Sequence, residues 1–172
     1  ISEAFMHLKA LTSLSLDFDG VSGITNVSFW TLGVALSSLT QLRNIQMYFS
    51  RCKSLLDNDF KAVAKGISSC THLEHIDFRF RKTNLASASL SALAESLPYF
   101  EHLHTFILDL EGCKKVGQDG FRNLILTLSA KTNLKLLCIS CKGWAKFDTS
   151  DLDLLSESLN KLVNLTELQL FV

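Results

Sequence analysis

The feature that most constrains this chain is a leucine that returns at an almost fixed interval. Leu11, Leu42, Leu73, Leu103, Leu134 and Leu165 are separated by 31, 31, 30, 31 and 31 residues. A period of this size marks a fold built by stacking self-similar units, each with an apolar face that it cannot bury alone. After each anchor an apolar residue stands at plus three (Leu14, Ile45, Ile76, Phe106, Leu137, Leu168) and at plus five (Leu16, Met47, Phe78, Leu108, Ile139, Leu170). A further column at plus seven reads Phe18, Phe49, Phe80, Leu110, Cys141 and Val172. A spacing of two is the period of a strand, so each unit opens with a short strand whose alternate residues point away from the core.

Farther along each unit the spacing changes. Ile24, Leu55, Leu85, Val116 and Phe147 mark a turn. Apolar columns then follow at helical steps of three and four: Phe29, Phe60, Leu90, Phe121, Leu152; Leu32, Val63, Leu93, Leu124, Leu155; and Leu36, Ile67, Leu97, Leu128, Leu159. Asn26, Asp57, Ser87 and Asp148, with Thr25 and Thr149, stand where a helix start needs hydrogen-bond acceptors, and are expected to cap their own helices. A column of small residues, Ala4, Ala35, Gly66, Ser96, Thr127 and Ser158, is assigned to the contact between neighbouring helices. The phase passes an independent check: of twelve phenylalanines it puts all but Phe171 in core columns.

The frame Leu42-x-x-Ile45-x-Met47, with a helix closing on Phe60-x-x-Val63-x-x-x-Ile67, resembles the ribonuclease-inhibitor-like class of leucine-rich repeats, and the match runs the length of the chain. The resemblance implies an α/β solenoid: a curved horseshoe with parallel β-strands on the concave face and α-helices on the convex face. One column departs from the family pattern. Where Asn or Cys usually follows the strand, this chain has Asp19, Ser50, Arg81, Glu111 and Lys142, while Cys52 and Cys113 stand two positions later and could partly replace the missing polar ladder. The expected organisation is one array over 1–172: a partial unit 1–8, units starting near 9, 40, 71, 101 and 132, and a partial unit 163–172. Ile1, Ala4, Phe5 and Leu8 align with Leu32, Ala35, Leu36 and Leu39, so the array is expected to be a fragment of a longer chain, adjoining the remainder of its own repeats.

Composition narrows the partner classes. Seventeen basic and seventeen acidic residues cancel, which disfavours a nucleic-acid or membrane partner. Five cysteines leave one unpaired in any disulfide scheme, which points to a reducing, cytoplasmic setting, with a cytoskeletal or ciliary one as the narrower expectation. No phosphate-binding glycine loop, nucleophile elbow or metalloprotease helix falls in phase with a pocket, so no catalytic residue and no cofactor is expected.

Three candidate sites remain. Cys138-Ile139-Ser140-Cys141 has the spacing of a redox or zinc pair, but the phase sends Cys141 inward and Cys138 outward. His72, Glu74, His102 and His104 stack side by side in adjacent units and are competent zinc ligands; the expected assignment is nonetheless solvated loop residues and no metal. The third candidate is the face presented by the outward strand columns, where Tyr48 and Arg79, flanked by Asp77, Ile107, Asp109 and Leu136, are the expected binding anchors. Against this, Arg79 with Asp109, and Arg81 with Glu111 and Lys142, could simply form cross-strand ion pairs. Trp30 breaks a polar outward helix column and marks a candidate contact on the convex side.

The expected function is a non-catalytic scaffold binding another protein on the concave face, of an identity that sequence does not fix. Two alternatives stand beside it. One is a GTPase-activating or regulatory domain, which would use an exposed arginine such as Arg51 or Arg81; the other is a structural segment of a cytoskeletal or ciliary assembly.

Overall fold

A computed structural model describes residues 2–23, 26–143 and 148–172 of the protein. Ile1, Ile24, Thr25 and Phe147, and the side chain of Asn26, lie outside the described residues.

Strand and helix alternate through the described residues. The strands are β1 (Ser13–Asp17), β2 (Asn44–Tyr48), β3 (His75–Arg79), β4 (Thr105–Asp109), β5 (Leu136–Ser140) and β6 (Glu167–Phe171). They form one six-stranded sheet in sequence order, every neighbouring pair parallel. The helices are α1 (Ser2–Phe5), α2 (Asn26–Leu36), α3 (Asp57–Ile67), α4 (Ser87–Ser96), α5 (Gln118–Leu128) and α6 (Thr149–Leu159), and each packs on the next. A turn of 3₁₀ helix, Leu97–Tyr99, extends α4 where the chain's one proline, Pro98, cannot continue it. Each strand starts two residues after its leucine anchor, and the plus-three and plus-five columns pair in register across the sheet.

Successive parallel strands joined by equivalent helical crossovers, each helix packed on the next, put the helices on one side of the sheet. The core lies between, formed by the inward strand residues and the three helical columns. Its largest fully buried side chains are phenylalanines. Phe18, Phe49 and Phe80 stack across three units at 5.4 and 5.7 Å between ring centroids, and Phe60 meets Phe80 edge-on at 4.8 Å. Such ring pairs are worth about 0.5–1.5 kcal/mol beyond the area they bury. Phe171, the one phenylalanine assigned outward, is exposed. Leu152 departs from the expected pattern. It is half exposed, because no further helix packs on the far side of α6 among the described residues. Ala4 and Leu8 are exposed as well.

The small-residue column marks close helix contacts only in part. The tightest approach pairs Gly66 of that column with Gly33, which the column does not contain: a Cβ on Gly66 would stand 2.1 Å from the Gly33 carbonyl oxygen, and one on Gly33 2.4 Å from that of Ala62. Ser96 reaches the α3 backbone instead, its hydroxyl donating to the Ala64 carbonyl at 2.9 Å.

The helix starts correct a second expectation. Among the described residues only Asp148 caps its own helix, accepting from the Asp151 amide at 3.1 Å. Asp57 and Ser87 reach forward into the next unit: the Asp57 carboxylate accepts from the Ala86 amide at 2.8 Å and from the Ser89 hydroxyl, and the Ser87 hydroxyl accepts from the Gly117 amide at 2.9 Å. Asp148 stands just before α6, whereas Asp57 and Ser87 are the first residues of α3 and α4, and the residue three into each helix decides where the amide before that helix finds its acceptor. In α3 and α6 that residue is an aspartate, Asp59 or Asp151, which turns back to accept the amide just before its own helix. In α4 and α5 it is Ser89 or Gly120, and the preceding unit supplies the acceptor instead. The departure just past the strand is also partly compensated. Asp19 accepts from the Ser50 amide at 2.6 Å, while Cys52, Thr83 and Cys113 are buried in one column, where the Cys113 thiol donates to the Phe80 carbonyl at 2.8 Å.

Candidate binding surface on the open face of the sheet

The face of the sheet that carries no helices presents two central outward columns. Pairing in register sets Gln46 beside Asp77, Ile107 and Cys138, and Tyr48 beside Arg79, Asp109 and Ser140. Asp77 is the organising residue. Its carboxylate accepts two hydrogen bonds from the Arg79 guanidinium, at 3.0 and 2.9 Å, and one from the Tyr48 hydroxyl at 3.3 Å. The guanidinium carbon lies 4.7 Å from the centroid of the Tyr48 ring, a cation–π contact. A carboxylate, a guanidinium and a phenol on two neighbouring strands are thus locked together. Asp77 is only 3% exposed, whereas the Arg79 side chain keeps 47% of its surface in solvent.

The electrostatics follow from this packing. The hydrogen bonds it donates to the Asp77 carboxylate hold Arg79 above the ordinary guanidinium value. Burial, and then the Asp77 charge, raise the Tyr48 phenol. Both anchors keep one charge state at neutral pH, and both are pre-positioned, which lowers the entropy cost of engaging a partner.

Of the expected cross-strand ion pairs, Arg81 with Glu111 forms and Arg79 with Asp109 does not. Arg79 is forked to Asp77 on its own strand rather than paired with Asp109. Asp109 lies 3.5 Å from Arg81, which also pairs with Glu111. Lys142 leaves that group and stands 4.9 Å over the Phe171 ring. Ile107 and Leu136 are half-buried on the same face, so apolar surface flanks the polar cluster. Beside them the Nε2 of His75 is inaccessible and has no hydrogen-bond partner among the described residues.

The remaining candidates resolve plainly. His72 and His102 stack at 6.4 Å, and His72 Nδ1 lies 3.1 Å from the Thr40 carbonyl. Glu74 is taken up by Arg43. Among the described residues no group of three or more His, Cys, Asp or Glu side chains is placed to hold a metal ion. All five cysteines are free thiols. Burial pushes Cys141 up to about 12; burial, and then the Asp109 and Asp77 charges, raise Cys138 on the open face. Trp30 is 63% exposed on the helix side, between grooves of about 400 and 320 Å³ that run along the α2–α3 contact. No described helix is long and apolar enough to cross a membrane.

Sequence reasoning missed the role of Asp77, which the phase placed as one outward residue among several. Period two shows which face a side chain takes, not which neighbour it grips. It also missed a column at the ends of the strands. Gly20, Gly112 and Gly143 have φ of 72°, 70° and 84°, and the equivalent residues in the two intervening units are Arg51 and Lys82, at 63° and 58°. The glycines were the available signal. For a side chain with a Cβ this conformation costs about 1 kcal/mol or more.

No protein-family model matches the sequence, and no curated protein does. Solved structures do. The tropomodulin C-terminal domain of Caenorhabditis elegans superposes with a TM-score of 0.67 at 12% identity, covering 94% of this chain and 93% of that one. Leiomodin-1 actin-binding site 2 gives a TM-score of 0.63 at 14% identity, with 93% and 88% covered. Identities this low carry the fold alone: an α/β leucine-rich-repeat-like arrangement of parallel strands and helices.

Proposed function

We propose that this protein is a non-catalytic protein-binding module of a cytoskeletal assembly, and that it engages its partner through the open face of the sheet. The observation that carries the reading is the Tyr48–Asp77–Arg79 cluster: an aromatic and an arginine, the residue types that dominate binding hot spots, fixed in one geometry by a buried carboxylate and flanked by Ile107 and Leu136. In this reading the units form a ribonuclease-inhibitor-like horseshoe and the open face is its concave side. The cytoskeletal setting draws support from the fold shared with the tropomodulin and leiomodin-1 domains, the latter named for binding actin. Actin is therefore the first partner to test.

Binding to monomeric and filamentous actin, by anisotropy and by co-sedimentation, is the direct experiment. We expect the wild-type protein to bind one of the two forms, and Tyr48→Ala with Arg79→Ala to weaken binding by about 2 kcal/mol or more, roughly thirtyfold. Absence of binding to either form removes actin. Binding that survives the double substitution but not Trp30→Ala moves the contact to the helix side.

A further inference from the structure

A chain with no net charge still distributes its charges unevenly, and the fold shows where. Three consecutive loops lead from strand to helix along one edge of the sheet: 49–56, 80–86 and 110–117. Each carries two exposed basic residues, Arg51 and Lys53, Arg81 and Lys82, and Lys114 and Lys115. The three loops together contain a single acidic residue, Glu111, and it is taken up by Arg81. Among the described residues the other five cations make no ion pair. Stacking brings the loops side by side, so the edge is a basic strip on a neutral molecule.

The strip contains a cleft. Arg51, Arg81 and Lys82 line about 250 Å³ together with Asp19 and Ser50. The Asp19 carboxylate is directed at the backbone, accepting from the Ser50 amide, and Arg81 is held at the rim by Glu111 and Asp109. Arg51 and Lys82 occupy the column that is glycine in three other units, in the left-handed conformation that glycine adopts without strain. Folding alone would favour glycine at both positions. Basic side chains stand there against that preference, in adjacent units, on the walls of one cleft.

We propose that this edge is a docking surface for an acidic segment of a partner protein, with carboxylates of that segment seated between Arg51 and Lys82. The surface is separate from the open face, and the proposal stands whether or not Tyr48 and Arg79 bind actin. A cation strip of this kind raises the association rate of an acidic partner and fixes its register, and its effect fades with salt.

The probe is a fluorescein-labelled glutamate-rich peptide, compared with a lysine-rich peptide of equal length and with duplex DNA of equal charge. By anisotropy we expect the acidic peptide to bind at low salt and the lysine peptide not to bind. Raising the salt to about 0.5 M, where charges are screened within a few ångströms, should release the acidic peptide. Arg51→Gly with Lys82→Gly should weaken binding about tenfold while Tm stays level or rises, since glycine suits both backbones. That pairing separates lost recognition from lost folding. Peptide affinity unchanged in this variant overturns the proposal, as does affinity lost in Tyr48→Ala with Arg79→Ala, which would put the peptide on the open face. DNA binding as tight as the peptide at the same salt would replace the acidic segment with a nucleic acid.

Discussion

Asp57 and Asp59 are two residues apart at one helix start, yet they serve different units. Asp59 accepts the Leu56 amide before its own helix, and Asp57 accepts the Ala86 amide before the next. Asp57→Ala should cost about 1–2 kcal/mol, measured by urea unfolding, with the loss of protection concentrated at the Ala86 amide rather than in α3. Asp148 offers a test by pH. Hydrogen bonds from the Ser150 hydroxyl, the Asp151 amide and Gln118 lower its carboxyl from 3.8 to about 2. A folded-state value below the unfolded one means that the stability it contributes is present above roughly pH 4 and is lost as pH falls toward 2. The stability difference between wild type and Asp148→Asn should therefore narrow over that interval. An unchanging difference would show that the carboxylate's hydrogen bonds do not set its contribution. At this scale the sequence was half legible. At Asp57, Ser87 and Asp148 the residue types identified acceptors correctly, but Asp148, just before its helix, turns back, whereas Asp57 and Ser87, at the first position of theirs, reach forward, and that shift of one position is seen only in the coordinates.

At the scale of elements the apolar columns read well, because burial is imposed by period. Phe49, Phe60, Phe78 and Phe80 are fully buried where the phase put them. Phe49 contacts Phe18, Phe29 and Phe80, so Phe49→Ala removes contacts to two neighbouring units and should cost about 3–5 kcal/mol. Close approach of helices was less legible. The phase singled out Gly66 but passed over Gly33 and Gly120, where an added Cβ would stand 2.4 Å from Ala62 and 2.6 Å from Ser87 backbone oxygens. A glycine on an outward helical position looks like an accident of composition until the partner backbone is in place. Gly66→Ala should force α2 and α3 apart and destabilise the protein by about 1–3 kcal/mol, whereas Gly23→Ala, with nothing within 4 Å of the new Cβ, should change stability little. Paired thermal melts decide the comparison. The open face shows the same limit: the columns placed Tyr48 and Arg79 next to each other, but the charge rule of adjacent strands suggested Asp109 as the partner of Arg79, and a fork to Asp77 along one strand won.

For the whole molecule, each unit touches only its neighbours, so stability should be graded rather than uniform. β6 has four of its five side chains exposed, while β2, β3 and β4 are packed on both edges. Hydrogen exchange should open β6 first and the central strands last, and simultaneous exchange of all six would show a single cooperative unit instead. The forward-reaching acceptors add a consequence of their own. Asp57 and Ser87 both act on the unit that follows, never on the one before. Cutting away the unit that holds Asp57 would leave the Ala86 amide without its acceptor in the next, whereas cutting away the later unit would leave only a carboxylate in water. The array is thus directional in a way that its near-identical periods conceal: shortened versions of equal length need not be equally stable, and the better survivor should be the one that keeps its earlier units.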